Sequence, residues 1–418
     1  MRKDNYNKII IIAILILIFG NLFFLLNFIC NKNIDDFFSI YFIPGTLDDF
    51  FTPMMKSIKN TYTEPFFSDY PPLANLIYMF FKMFFSNYEL ENAATFDTRL
   101  AGARYLMTTE VGRLLPLFFF SISFVIMYFL LNTVFNKEES ILYKILIVCL
   151  IFSGPYLFLM QRGNYLILAV ICVTIFLSYY NSNNPIEKEI SIIALAIATA
   201  LKVYPVFFGI LLFKKKNTKL IIRAIIYGAI ILFIPFFIYD GFSSISHWVH
   251  NLFMRNTYKE ASIYSYNYNI SFHTMLKIFY NIFGLNISNI NYKICVTIVS
   301  CVCAIIYLCN NDDIHKIIAI CLFTIWAQNG SYKYGLCILI YPLLKLLTKE
   351  VKNIYEQIYI VCILFSYIPY ALPRIEGFFK EASTNLQLTY GTLIIHICIL
   401  ILVIVLLIES LINFFRKK

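Results

Sequence analysis

At 418 residues, 60% hydrophobic and only 14% charged, the chain is too apolar for a water-soluble protein, which carries roughly a quarter charged residues. Its mean hydropathy is +0.73. The net charge of +10 does not mark a nucleic-acid binder, because basic residues stand in short clusters beside apolar runs and no soluble stretch is long enough to build a basic groove.

Apolar runs long enough to cross a bilayer recur from end to end, without the alternating short segments of a membrane barrel. Backbone groups in lipid must satisfy one another, so the expected fold is all-α, a polytopic transmembrane bundle. In chain order the expected spans are 9–30, 71–86, 113–133, 141–160, 164–181, 190–213, 218–239, 292–310, 315–329, 333–348, 356–372 and 390–413, about 12 by hydropathy. The first, Ile9 to Cys30, is too long for a signal-peptide core and lacks a small-residue cleavage site, so it reads as a retained span. The runs 71–86 and 315–329 are short, as tilted, broken or re-entrant segments are. The whole chain, 1–418, reads as one integral-membrane domain without internal repeats.

Basic clusters occur in "MRKDNYNK", in "KKKNTK" from Lys214, in "KLLTKEVK" from Lys345 and in the final "FFRKK". Threading the spans with the N-terminus inside puts each cluster on the inner face of a cell membrane, and both termini in the cytoplasm. Two long segments then face outward, 31–70 and 240–291. Both are rich in aromatic residues, as helices lying at the headgroup level are. The 11 cysteines lie mostly within apolar runs, with no CxxC pair, and read as apolar filler rather than as disulfides or metal ligands.

Asp48 and Asp49, in "GTLDDFF", fall in the first outer segment. A carboxylate that loses hydration near a bilayer gains basicity, which suits a general base; the plainer account is a solvated pair capping a helix near Phe50. "LMQRGNYLILAV" breaks an apolar stretch with Gln161, Arg162 and Asn164, either an inner turn of positive-inside type or a polar site. If 141–160 crosses, this turn faces inward, away from the two aspartates. Lys202 sits in mid-run in "ALKVYPVFFGILLF", where a lysine requires an anion or a wet cavity, or snorkels from a shorter helix; Pro205 is expected to break the helix there.

His247 and His250, spaced i, i+3, lack a zinc-protease pattern and read as packing beside Trp248. His273, in "NISFHTML", and Lys333, in "SYKYG", lie in or beside outer segments. A cation at Lys333 suits a phosphate or a headgroup. No nucleotide-binding signature occurs.

The segments "LDDFFTP", "YPPLANLIYMFF", "QRGNYLILAV" and "ISIIALAIATALKVYPVFFGILLFKKK", and more loosely "YNYNISFHTML" and "SYKYGLCILIYPLL", resemble glycosyltransferase family 87. This is a branch of the type C membrane glycosyltransferases that includes polyprenyl-phosphate-mannose-dependent α-mannosyltransferases. The resemblance implies a polyprenyl-phosphate sugar donor, with mannose as the expected hexose, a lipid or glycan acceptor among membrane lipids, and no required nucleotide. No nucleic acid and no cofactor are expected, and no metal, since no second ligand stands at a convincing spacing from the adjacent aspartates. It places the family's loop aspartate on Asp49, with Asp48 as the alternative, the central lysine on Lys202 and the polar turn on Arg162 and Asn164. Tyr70 and Tyr204, inside the resembling segments, complete the expected substrate-binding set with His273 and Lys333. Many members carry an Asp or His where this chain has Lys333 and Tyr334. The implied reaction is inverting, with Asp49 as general base and Lys202 or Lys333 against the leaving phosphate. A carrier or flippase using Lys202 as counter-ion, and a glycan polymerase or ligase, are the competing readings.

Overall fold

The computed structural model describes residues 2–31, 47–57, 61–63, 68–135, 140–213, 218–261, 268–284, 291–328, 330–349, 352–369 and 388–416. Parts of both expected outer segments lie outside them, namely 32–46, 58–60, 64–67, 262–267 and 285–290, as do 214–217 in the "KKKNTK" cluster and the end of the 356–372 run. Among the described residues the regular structure is helical, with one isolated bridge, Asn269 to Tyr332, and no strand.

The α-helices are α1 (Arg2–Asn31), α2 (Asp48–Lys56), α3 (Pro72–Lys82), α4 (Asn87–Ala94), α5 (Arg99–Thr108), α6 (Glu110–Phe135), α7 (Ile141–Ile151), α8 (Gly154–Arg162), α9 (Leu166–Tyr179) and α10 (Pro185–Leu201). They continue as α11 (Ile210–Phe213), α12 (Thr218–Phe233), α13 (Phe242–Ala261), α14 (Phe272–Ile282), α15 (Tyr292–Cys309), α16 (Asp313–Trp326), α17 (Ile340–Thr348), α18 (Ile354–Tyr367) and α19 (Tyr390–Phe415). Among the described residues the 3₁₀ segments Tyr204–Gly209, Ile234–Ile238 and Lys333–Leu339 interrupt the later helices.

Among the described residues four helical stretches are long and apolar enough to cross a membrane, Glu110–Phe135, Thr218–Ile238, Tyr292–Cys309 and Tyr390–Phe415, and the bent pair α7–α8 makes a fifth if it forms one span. Large apolar side chains on these helices stay exposed, among them Phe118, Phe129, Ile225 and Ile294, as lipid-facing residues do. The chain is therefore a helical integral membrane protein.

Three expected spans differ in form. The 71–86 run holds only α3, about 16 Å long at 1.5 Å per residue, about half the thickness of a bilayer's hydrocarbon core. Arg104 on α5, beyond it, lies near enough for its charge to act on Asp48. The 141–160 run is bent by 43° between α7 and α8. The 161–164 turn meets the aspartates rather than lying away from them. The 190–213 run is a hairpin rather than one span. Gly209 and Leu195, equidistant from Lys202 in sequence, meet across it: a Cβ added at Gly209 would lie 3.7 Å from Leu195 Cδ2. The cause is Pro205, which cannot donate to Leu201 O and ends α10 there.

By internal contacts the chain falls into two compact units, one of residues 1–44, 131–158 and 259–418, the other of 45–130 and 159–258. In the second, Tyr62, Phe236, Tyr239 and Trp248 form a buried aromatic cluster. Trp248 Nε1 donates to Asp69 O at 3.1 Å, and Asn251 Nδ2 donates to Tyr62 O and Ser68 O at 2.9 and 3.0 Å. These bonds tie the described parts of the first outer segment to α13, while His247 and His250 stay exposed beside the buried Trp248.

Candidate active site

In the unit of residues 45–130 and 159–258, the two aspartates open α2. The residue in the N-cap position is Leu47, whose φ of 57° is left-handed, with no side-chain cap. Asp48 and Asp49 are therefore first-turn residues, where the helix dipole favours negative charge, and they are not the solvated caps of the plainer account. Leu47 N donates to Gln161 O at 2.7 Å, which pins this strained start of the helix to the end of α8. Phe50 and Phe51, both fully buried, anchor the helix against Phe81, Phe119 and Phe85.

The turn after α8 closes on the carboxylates. Arg162 Nη2 donates to Asp49 Oδ1, and its Nη1 lies 3.6 Å from Asp48 Oδ2. Asn164 Nδ2 donates to Asp49 Oδ2 at 2.9 Å, while its Oδ1 accepts from Leu166 N at 3.0 Å and so opens α9. Both donors reach one carboxylate because Gly163 lies between them with a φ of +70°. A Cβ there would stand 2.6 Å from Phe50 Cβ, so only glycine suits this turn.

Lys202 stands at the tip of the hairpin. Its Nζ lies 4.8 Å from the ring centre of Tyr70 and 5.0 Å from that of Tyr165, and the Asp49 charge acts on it. The rings of Tyr70, Tyr78 and Tyr165 pack on one another at 5.3–6.0 Å. Two of them serve carbonyls that prolines leave bare. Pro53 cannot donate to Asp49 O, which accepts instead from Tyr78 OH at 2.7 Å. Pro205 cannot donate to Leu201 O, which accepts from Tyr165 OH at 3.0 Å. One tyrosine thus supports the acidic helix and the other the lysine hairpin. Tyr204, two residues past Lys202, begins the 3₁₀ segment and is half-buried.

The electrostatics separate the two acids. Burial pushes the Asp48 carboxyl above its usual range, against the opposing pull of Arg162 and Arg104. Asp48 Oδ1 is buried and has no hydrogen-bond partner among the described residues, whereas both oxygens of Asp49 are held.

The structure thus brings together Asp48, Asp49, Arg162, Asn164, Lys202 and Tyr70 from the expected set. His273 and Lys333 belong to the other compact unit. There Ile270 N donates to Ser331 O at 2.6 Å and Lys333 N to Tyr268 O at 3.0 Å, so the "YNYNISFH" and "SYKY" segments lie side by side. Lys333 is buried rather than set at an open mouth, and its charge acts on His396, also buried. Tyr78, Tyr165 and Arg104 escaped the sequence reading, since tyrosines in apolar runs resemble ordinary packing; the prolines four residues after Asp49 and Leu201 were the available signal.

The family model for glycosyltransferase family 87 matches residues 67–324, more than half of the chain. The chain belongs to glycosyltransferase family 87. No curated protein and no solved structure matches it significantly. As a family 87 glycosyltransferase it takes a sugar donor and an acceptor. The matched region holds Tyr70, Arg162, Asn164, Lys202, Tyr204 and His273, whereas Asp48, Asp49 and Lys333 lie outside it. Chemically, the cluster offers carboxylates to take a proton, a guanidinium to orient them, and an ammonium framed by aromatic faces to meet an anion.

Proposed function

We propose that this protein transfers a hexose, mannose in the first instance, from a polyprenyl-phosphate donor to a lipid or glycan hydroxyl on the extracytoplasmic face of the cell membrane. The whole chain acts as one membrane glycosyltransferase domain, with both termini cytoplasmic and outer segments flanking the site. The observation that carries this reading is the convergence on one cluster of a carboxylate held by Arg162 and Asn164 and a lysine framed by Tyr70 and Tyr165.

In the proposed step the acceptor oxygen attacks the anomeric carbon as its proton passes to Asp49. The bond from that carbon to the phosphate oxygen breaks, and prenyl phosphate leaves with both electrons. A single displacement inverts the configuration and requires no second carboxylate nucleophile. Asp49 supplies general-base catalysis, an effect of about 10²–10⁴ in rate. Lys202 offsets the charge that grows on the departing phosphate. Arg162 and Asn164 fix the carboxylate, and Tyr70 and Tyr204 border the lysine.

The test is transfer by purified protein in nanodiscs from a panel of synthetic prenyl-phosphate sugars, with no ion gradient and the product read by mass. One added sugar, inverted at the anomeric carbon and lost in Asp49→Asn, is the expected result. Full activity in Asp49→Asn with loss in Asp48→Asn reassigns the base to Asp48. Donor movement across the bilayer without glycosidic product overturns the transferase reading.

A further inference from the structure

A second polar cluster lies wholly within the unit that contains residues 259–418, apart from the residues discussed so far. Asp312 caps α16, His315 stands in its first turn, Glu356 lies in the first turn of α18 and Glu409 near the end of α19. His315, Glu356 and Glu409 are each at most 4% exposed. Two buried carboxylates beside a third acid concentrate negative charge here, and Lys349 is bonded to Asp312 and Glu356.

The hydrogen bonds orient each group inward. Asp312 uses Oδ1 to accept from Ile314 N at 2.8 Å, and Glu356 uses Oε2 to accept from Asn353 N at 3.1 Å. Each carboxylate spends one oxygen on a helix start and presents the other to the cluster. Asn310 donates through Nδ2 to Ile306 O and Ser410 Oγ, so its Oδ1 is an acceptor, and His315 Nδ1 lies 3.3 Å from it. The ring proton of a neutral His315 therefore sits on Nδ1, which also faces Glu409 Oε2 at 3.5 Å. Glu409 is itself held by Asn353 Nδ2 at 3.0 Å and by Tyr359 OH at 2.5 Å.

That leaves the lone pair of His315 Nε2. The atom is buried without a hydrogen-bond partner and points at Glu356 Oε1, 3.7 Å away. A lone pair facing a carboxylate oxygen in a dry site repels it, and either a proton on Nε2 or a cation between the two atoms removes that repulsion. A histidine whose other nitrogen is turned to a carboxylate is also the usual arrangement behind a metal-bound imidazole.

We propose that Asp312 Oδ2, His315 Nε2 and Glu356 Oε1 form a binding site for a divalent transition-metal ion, with Glu409 orienting the histidine from behind. One atom from each ligand lies within 4.8 Å of the others. A tetrahedral ion at its usual bond lengths holds neighbouring ligands roughly 3.4 Å apart, so a closure of at most about 1.4 Å completes the triad. One imidazole and two carboxylates suit zinc, manganese or iron(II) better than magnesium or calcium. Lys349 occupies the same place as a built-in competitor, with its Nζ 3.1 Å from Asp312 Oδ2 and also bonded to Glu356 Oε1. It is 37% exposed on a flexible stem, so it can swing out when the ion enters. The bound ion would join the start of α16 to the start of α18. This site is independent of the proposed transfer chemistry.

The experiment is equilibrium dialysis of chelator-treated, full-length protein in detergent against Zn²⁺ and Mn²⁺, with thermal unfolding followed in parallel. The wild type is expected to bind about one ion per chain and to unfold at a higher temperature with it. Binding is expected to vanish in His315→Gln and to tighten about tenfold in Lys349→Met, because the competing ammonium is gone. Absence of stoichiometric binding in the wild type and in Lys349→Met, with Lys349→Met destabilised and not rescued by either ion, overturns the proposal and makes the cluster a closed ion-pair network. An ion that binds equally well to His315→Gln overturns it too.

Discussion

Arg162 donates to the carboxylate of Asp49 across 113 positions of the chain, and this contact fixes the arrangement of the proposed site. It brings the loop aspartate and the polar "RGN" turn, which a simple threading puts on opposite faces, into one cluster. Truncating the arginine leaves two mostly buried carboxylates facing one another. Arg162→Met is expected to destabilise the protein by about 3 kcal/mol, the lower end for a buried pair broken from one side, and to abolish transfer. Arg162→Lys, which keeps the charge but loses the fork, is expected to recover most of the stability and little of the activity. Thermal unfolding and turnover, measured side by side in detergent, separate the two effects.

Gly163 is expected to tolerate no side chain. In Gly163→Ala a left-handed residue costs about 1–2 kcal/mol, and the methyl group meets Phe50 Cβ at 2.6 Å. Activity is expected to fall further than stability, since the shift moves Arg162 and Asn164 off Asp49. A variant with wild-type turnover would show that the turn relaxes without disturbing the carboxylate.

The two proline–tyrosine pairs make a matched test. Tyr78→Phe removes the donor to Asp49 O, and Tyr165→Phe removes the donor to Leu201 O, each leaving a carbonyl that proline has already stripped of its helical partner. Each is expected to cost about 1–3 kcal/mol in unfolding free energy. Restoring the helical donor by Pro53→Ala in the Tyr78→Phe background is expected to recover part of that loss. Equal destabilisation in single and double variants would remove the pairing argument.

Lys202→Met is expected to reduce kcat/KM for a prenyl-phosphate donor at least tenfold, about 1.4 kcal/mol, with little change in folding. Lys202→Arg, still cationic over the tyrosine rings, is expected to keep a measurable fraction. An unchanged rate in the methionine variant would mark the lysine as a passive hairpin tip.

Asp48 carries a pH dependence. Burial raises its carboxyl above the unfolded value, so the folded protein binds more protons than the unfolded chain over that interval. Stability is therefore expected to fall as pH rises from about 4 upward through the raised value, and Asp48→Asn to flatten that slope. Unfolding temperatures across the acid range are the measurement; identical slopes in both proteins would place the Asp48 proton elsewhere.

Composition and hydropathy were enough to determine a helical membrane protein, because the lack of backbone partners in lipid leaves few alternatives. Local signals also marked Asp48–Asp49, the "RGN" turn and Lys202, since polar groups beside apolar runs are costly unless something holds them. The sequence reading of 190–213 as one span failed for a physical reason. Hydropathy counts apolar length but is blind to direction, and a hairpin turned at Pro205 has the same composition as a straight helix. That the "RGN" turn meets the aspartates, which tyrosine serves which bare carbonyl, and which carboxylates flank His315 were decided by tertiary structure alone. Each depends on partners dozens of residues apart, and only packing selects among the many donors and acceptors that the chain offers.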